Sequence, residues 1–116
     1  MKVMPALDVT PETVTMDGAR DVTCRWLIGE KDAAPNFAMR LFEVAPGGCT
    51  PHHAHPFEHE VFIVSGRGTL VADDGDKSVA AGTFAFVKPD EKHQFRNTGS
   101  EPLRFLCLIP LESKRS

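Results

Sequence analysis

Apolar residues fall in short runs along this chain, and nearly every run ends at a Gly, Pro or Asp cluster. Residues 22–28 are rich in β-formers and stop at Gly29. Residues 36–44 are apolar-rich and end at Ala45-Pro46-Gly47-Gly48, which reads as a turn. The run 60–64 is β-branched and aromatic and halts at Ser65-Gly66. Residues 69–72 precede Asp73-Asp74-Gly75-Asp76, a hairpin signal, and 77–80 return as the partner strand. Residues 83–87 follow Gly82 and stop before Pro89. Two more runs, 93–96 and 103–109, flank a turn at 97–102. Short runs at this spacing predict an all-β sandwich or barrel rather than helices. The one candidate helical turn is Pro11 to Val14, with Thr10 as its cap. There is no internal repeat.

With 116 residues the chain is read as a single domain: an arm over 1–20, a barrel over 21–112 and a polar tail over 113–116. The arm is weakly patterned and is expected to be exchanged with a partner subunit. The formal charge of -3 and the absence of a Lys/Arg run argue against nucleic acid and anionic membranes. The basic pair Lys114-Arg115 sits in the tail, where fraying is expected. Three cysteines, Cys24, Cys49 and Cys107, make an odd count without CxxC spacing. They predict free thiols and a cytoplasmic setting. No run is long and apolar enough for a membrane span.

The chemistry is concentrated in histidine. Four of the five histidines, His52, His53, His55 and His59, fall within eight residues, and His93 follows a second Pro turn. Imidazole is the commonest protein ligand for divalent transition metals. Side chains two apart on an extended segment share a face. His53, His55 and His59 share parity with one another and with Val61 and Ile63; His52 does not. The expected ligands are therefore His53, His55, His59 and His93, with His52 facing solvent or standing behind them. An internal position between a Gly turn and a β run argues against an expression tag or a solvated loop.

These residues carry a resemblance. The segment Gly47 to Gly66 resembles the first cupin motif: a Gly, five residues, His-x-His, three or four residues, an acid, then a strand ending in Gly. Gly82, Pro89, His93 and Asn97 resemble the second. The resemblance covers residues 36–110 and implies a jelly-roll β-barrel, a double-stranded β-sandwich with one metal in its mouth. Many cupins place Glu at the third ligand position. Counting back seven from Gly66 gives His59, and a longer gap gives Glu60; strand parity favours His59. A second departure is Glu91, where the family often has Gly. The His-x-His-Pro-x-Glu-His-Glu variant, with Phe105-Leu106-Cys107-Leu108-Ile109-Pro110 at the end, is similar to small four-histidine cupins. That similarity implies a homodimer holding one divalent metal per chain, manganese before iron, copper, nickel or zinc. It also implies oxidative cleavage of a C=C bond or enol.

Four neutral ligands leave a divalent ion its full charge, which strengthens it as a Lewis acid and leaves no carboxylate base among the ligands. Around them, Phe95 and Phe105 would line an apolar interior or form ordinary core. Cys107 would be an oxidisable thiol near the metal or a buried small hydrophobe. Arg40 would hold an anion at the mouth or pair with Glu43 or Glu60, and Trp26 would belong to core or dimer interface. The leading expectation is a metal-dependent oxidoreductase, dioxygenase-like or peroxide-using, acting on a small apolar molecule. A Lewis-acid isomerase or lyase, and a binding module without turnover, are the alternatives.

Overall fold

The computed structural model describes residues 1–111; the tail call on 113–116 lies outside the described residues. Nine strands form the fold: β1 (Glu12–Thr13), β2 (Arg20–Ile28), β3 (Phe37–Cys49), β4 (His59–Ser65), β5 (Arg67–Ala72), β6 (Lys77–Ala80), β7 (Phe84–Val87), β8 (His93–Arg96) and β9 (Leu103–Pro110). All pairings are antiparallel. Their order is β6-β5-β8-β3-β9-β4-β7, with β2 on the other edge of β3 and β1 beyond it. The sheet curls into a half-barrel of the expected all-β type, in one domain.

Alternation explains the curl. On β4 the residues His59, Val61 and Ile63 are buried while Glu60, Phe62 and Val64 are exposed. On β9 Leu103, Phe105, Cys107 and Ile109 are buried. These inward residues meet Val44, Leu70, Val79 and Phe95 in one core. Burying a full-sized apolar side chain contributes roughly 1.5–3 kcal/mol, so a one-residue slip of β4 or β9 would cost several of these at once. Phe105 is held on both sides, its ring centroid 4.5 Å from Phe95 and 5.3 Å from Phe42.

Two local expectations are corrected. The Ala45-Pro46-Gly47-Gly48 stretch is no turn: β3 runs through it to Cys49. Gly47, at φ 82°, permits a kink that lets β3 leave β9 and pair with β8 at Cys49 and Arg96. Gly48 carries no side chain because a Cβ there would lie 2.4 Å from the Arg20 carbonyl oxygen. The second correction concerns the arm. Glu12 and Thr13 form β1 against Cys24 and Thr23 of the same chain, where a helical turn from Pro11 was expected. A 3₁₀ turn lies upstream at Ala6–Asp8, and another at Glu30–Asp32.

Asn97 holds the turn between β8 and β9. Its Nδ2 donates to the Val44 and Glu101 carbonyls at 2.9 and 2.8 Å, and its Oδ1 accepts from the Gly99 N–H at 2.9 Å. A buried amide with this many partners acts as a structural clamp.

Candidate metal centre

Four histidines from three elements lie side by side, and three of them, His53, His55 and His93, bring their ring nitrogens together. The Pro-rich loop between β3 and β4 brings His53 and His55, β4 opens with His59, and β8 opens with His93. A reciprocal backbone pair ties the loop to β8: the His53 N–H donates to the His93 carbonyl at 3.2 Å and the His93 N–H to the His53 carbonyl at 3.0 Å. This pairing places the two rings 5.4 Å apart by centroid. Nitrogen donors of His53, His55 and His93 all lie within 4.8 Å of one another. The His59 ring adjoins them, 4.7 Å from His55 and 5.2 Å from His93. Phe57 stacks on His55 at 4.7 Å and 4°, which fixes that ring from the loop side.

Hydrogen bonds decide which nitrogens are free. His93 Nδ1 lies 2.8 Å from the Glu91 carbonyl oxygen. A carbonyl only accepts, so this nitrogen carries the proton and Nε2 keeps its lone pair. His59 Nδ1 lies 2.9 Å from Cys107 Sγ. Its Nε2 is buried and has no partner. Orphaned buried polar atoms are rare because they forfeit roughly 1–3 kcal/mol of desolvation. The thiol can take either role; in the tautomer whose Nδ1–H donates to sulfur, His59 Nε2 offers a lone pair beside the three-His cluster. That is the arrangement a divalent cation would satisfy, and the donor set fits one.

Electrostatics keeps the rings neutral. Burial pulls His59 down to about 2, with the Arg40 charge adding to it. Burial pulls His55 down to about 4, helped by its neighbours His53 and His93 and by Arg40. His53 and His93 are also lowered, chiefly by burial. Neutral imidazole is the form that ligates metal.

The surrounding residues sort clearly. His52, Glu58 and Glu60 are exposed, as alternation required. Phe95, Phe105 and Cys107 are buried in the core and also line the cavity of about 280 Å³ in front of the histidines. Arg40 pairs with neither glutamate proposed for it. Glu43 is held by Arg104 at 2.6 Å and Glu60 faces solvent. Instead Arg40 turns inward opposite Cys107 and donates from Nη2 to Cys107 Sγ at 3.1 Å. Trp26 is half-buried on the cavity wall, its ring centroid 5.4 Å from the Arg40 guanidinium carbon.

Sequence reasoning missed part of this wall. Glu12, Val14 and Met16 of the arm line the cavity; Val14 alone among apolar residues between Pro11 and Met16 was the available signal. Buried Thr50 was also missed. Its Oγ1 accepts from the Phe95 N–H at 2.8 Å and fixes the start of the histidine loop.

Comparison with known proteins agrees with this architecture. Residues 40–109 match the Cupin_2 family, described as a cupin domain. The chain belongs to the cupins. It is similar to the structure of the polyketide cyclase RemF from Streptomyces resistomycificus, at 36% identity and a TM-score of 0.90, over 96% of this chain and 80% of that one. It is similar to an oxalate-binding protein of Thermotoga maritima, 32% identical over 115 residues, covering 94% of this chain and 93% of that protein. It also matches a 1-methylthio-D-xylulose 5-phosphate methylsulfurylase of Rhodospirillum rubrum, 35% identical over 74 residues. That match takes in 64% of this cupin but only 47% of the relative, so the chain spans about half the length of that protein. One fold thus serves several chemistries, and the site must decide among them.

Proposed function

We propose that this cupin holds one divalent metal on His53, His55, His59 and His93 and promotes enolisation and carbon–carbon bond chemistry on a small, carbonyl-rich, ring-forming molecule. The observation that carries the reading is the buried, unpartnered Nε2 of His59 beside three converging imidazoles, at the end of a cavity walled by aromatic rings. The likeness to a polyketide cyclase across nearly the whole chain supports the substrate class. A bound metal supplies Lewis acidity toward an oxygen of the substrate.

The chain's own residues supply the rest. Phe57, Phe95 and Phe105 exclude water and flatten the space available to a planar ligand. Loss of the carboxylate ligand removes a proton acceptor from the histidine set. Glu58 and Glu60 do not replace it, since both face solvent. Glu12 of β1 is the carboxylate among the described lining residues, and it is the proton acceptor this reading assigns, at the mouth. The test is incubation of the zinc- or magnesium-loaded protein with a linear poly-β-ketone thioester mimic under nitrogen. Cyclised, dehydrated product is expected; its absence with every metal tried would sink the reading.

A second reading, oxidative cleavage of an enol or C=C bond with manganese or iron, draws on the same all-imidazole donor set. It requires turnover that stops without dioxygen or peroxide and is not restored by zinc. Three free cysteines suit a reducing, cytoplasmic setting for either chemistry.

The partner we propose is a second copy of the chain. Phe84 pairs with Phe62 and Phe62 with Leu106, so one row crosses three strands on the outer face. Phe84 is 78% exposed and Phe62 47%. A contiguous apolar row on the outside of a sheet favours association.

A further inference from the structure

Arg40 stands out among the cavity residues because its charge is not matched. Every salt bridge among the described residues lies elsewhere. Its Nε is buried and has no hydrogen-bond partner. Its Nη2 donates to Cys107 Sγ at 3.1 Å, so the contact it makes is to sulfur and not to a carboxylate. The guanidinium carbon sits 4.8 Å from the Phe42 ring centroid and 5.4 Å from that of Trp26. Two aromatic faces orient the plane and replace part of its hydration. A half-buried cation held rigidly with an idle N–H is costly unless an anion completes it.

The geometry points to Arg40 as the anchor for an anionic group of the ligand, a carboxylate or acidic enolate attached to an unsaturated or aromatic body. The inference rests on the cavity being a ligand site, as the preceding reading holds, and adds which end of the ligand is charged. Arg40 is two contacts from His59, through Cys107 Sγ at 3.1 and 2.9 Å. Arg40 lines the same cavity as the imidazoles, so an anion on its guanidinium sits there with its body against Phe95 and Phe105. The volume, about 280 Å³, is at the small end of ligand sites of roughly 300–1,000 Å³. It suits a ligand of one or two rings. Arg40 is thus a specificity-determining residue: it selects acids over neutral isosteres whatever reaction follows.

The probes are cinnamate and its neutral isostere cinnamide, titrated calorimetrically into the full chain at pH 7.5. The location readout is the indole N–H resonance of Trp26, the single tryptophan. Cinnamate should bind roughly 10- to 100-fold more tightly than cinnamide, the ratio expected for one charge-assisted pair, and should shift the Trp26 signal. Arg40→Gln should bring the ratio to within about threefold. Arg40→Lys keeps the charge without the fork and should retain an intermediate preference; it carries the comparison if the Gln variant does not fold. His93→Ala should leave the acid preference in place. Loss of preference in His93→Ala with retention in Arg40→Gln would mean that the metal holds the anion, and would overturn the inference while leaving the metal site standing. Equal affinity for the two probes, or an unmoved Trp26 signal, would overturn it as well. An Arg40-dependent preference in a protein that binds no metal would keep this inference and remove the metal reading.

Discussion

Strands β3, β9 and β4 carry opposite anomalies on their two faces. Inward, where apolar side chains belong, stand His59, Arg40 and Cys107. Outward, where polar ones belong, runs the row Leu106, Phe62 and Phe84. The inner polar groups are held to one another by short contacts, yet two nitrogens, His59 Nε2 and Arg40 Nε, are left over. Phe62 and Phe84 are open to solvent. The inner surplus is what the proposed ligand would complete, and the outer one what the proposed second copy would cover. Chain stability alone explains neither, since both cost free energy in the isolated protein.

The largest effect should come from the inner face. Either His53→Ala or His93→Ala should reduce bound metal from about one per chain to near none by elemental analysis. Stabilisation by metal, about 2.7 kcal/mol at a hundredfold excess over Kd, should vanish with it. Next is the core beneath the site. Phe105→Ala should cost about 3–5 kcal/mol in denaturant melts, because a stacked, 2% exposed ring leaves a cavity that its neighbours cannot fill. Its effect on metal binding should be smaller than its effect on stability; the reverse would show that the core and the metal site are not separable.

The outer face should respond differently. Phe62→Glu with Phe84→Lys should shift sedimentation from dimer to monomer, weakening association by at least about a hundredfold if each ring contributes roughly 1.5–3 kcal/mol. The monomer should still bind metal. If it does not, the faces are coupled and the comparison breaks.

Between pH 6.5 and 4 acid should act chiefly through the inner face. The folded pKa values of the histidines lie below the ordinary value of 6.5, chiefly through burial. The unfolded chain therefore binds more protons below that pH. Stability is fully present above about pH 6.5 and is lost as the pH falls toward 4, where His55 titrates. Metal-free protein should show a falling Tm across that window, and the slope should flatten in His55→Ala. Smallest of all is His52→Ala. His52 is exposed, and its loss should change neither metal content nor Tm measurably; loss of metal there but not in His59→Ala would overturn the ligand assignment.

Legibility followed periodicity. The alternation on β4 and β9 was readable because each strand has one wet and one dry face, and it oriented His59 and left His52 outside before any coordinates. The 45–48 segment was misread because Pro-Gly-Gly is also turn chemistry; β3 continues there only because β2 and β8 accept it on either side. The strand at Glu12–Thr13 is two residues long and has no period to read. The contact of Arg40 with Cys107 was not legible, because Cys107 lies 67 residues away in the chain.

By itself the sequence determined the strand succession, the inward parity of the histidines and the family likeness carried by two glycine-bounded motifs. Those are local properties, set by side-chain alternation and by turn residues. Only the tertiary structure decided that His53 and His93 share a backbone bridge, that Arg40 meets Cys107, and that Phe84, Phe62 and Leu106 line up on the outer face across three strands. Such facts depend on inter-strand register, which long-range pairing fixes and no stretch of the chain encodes alone.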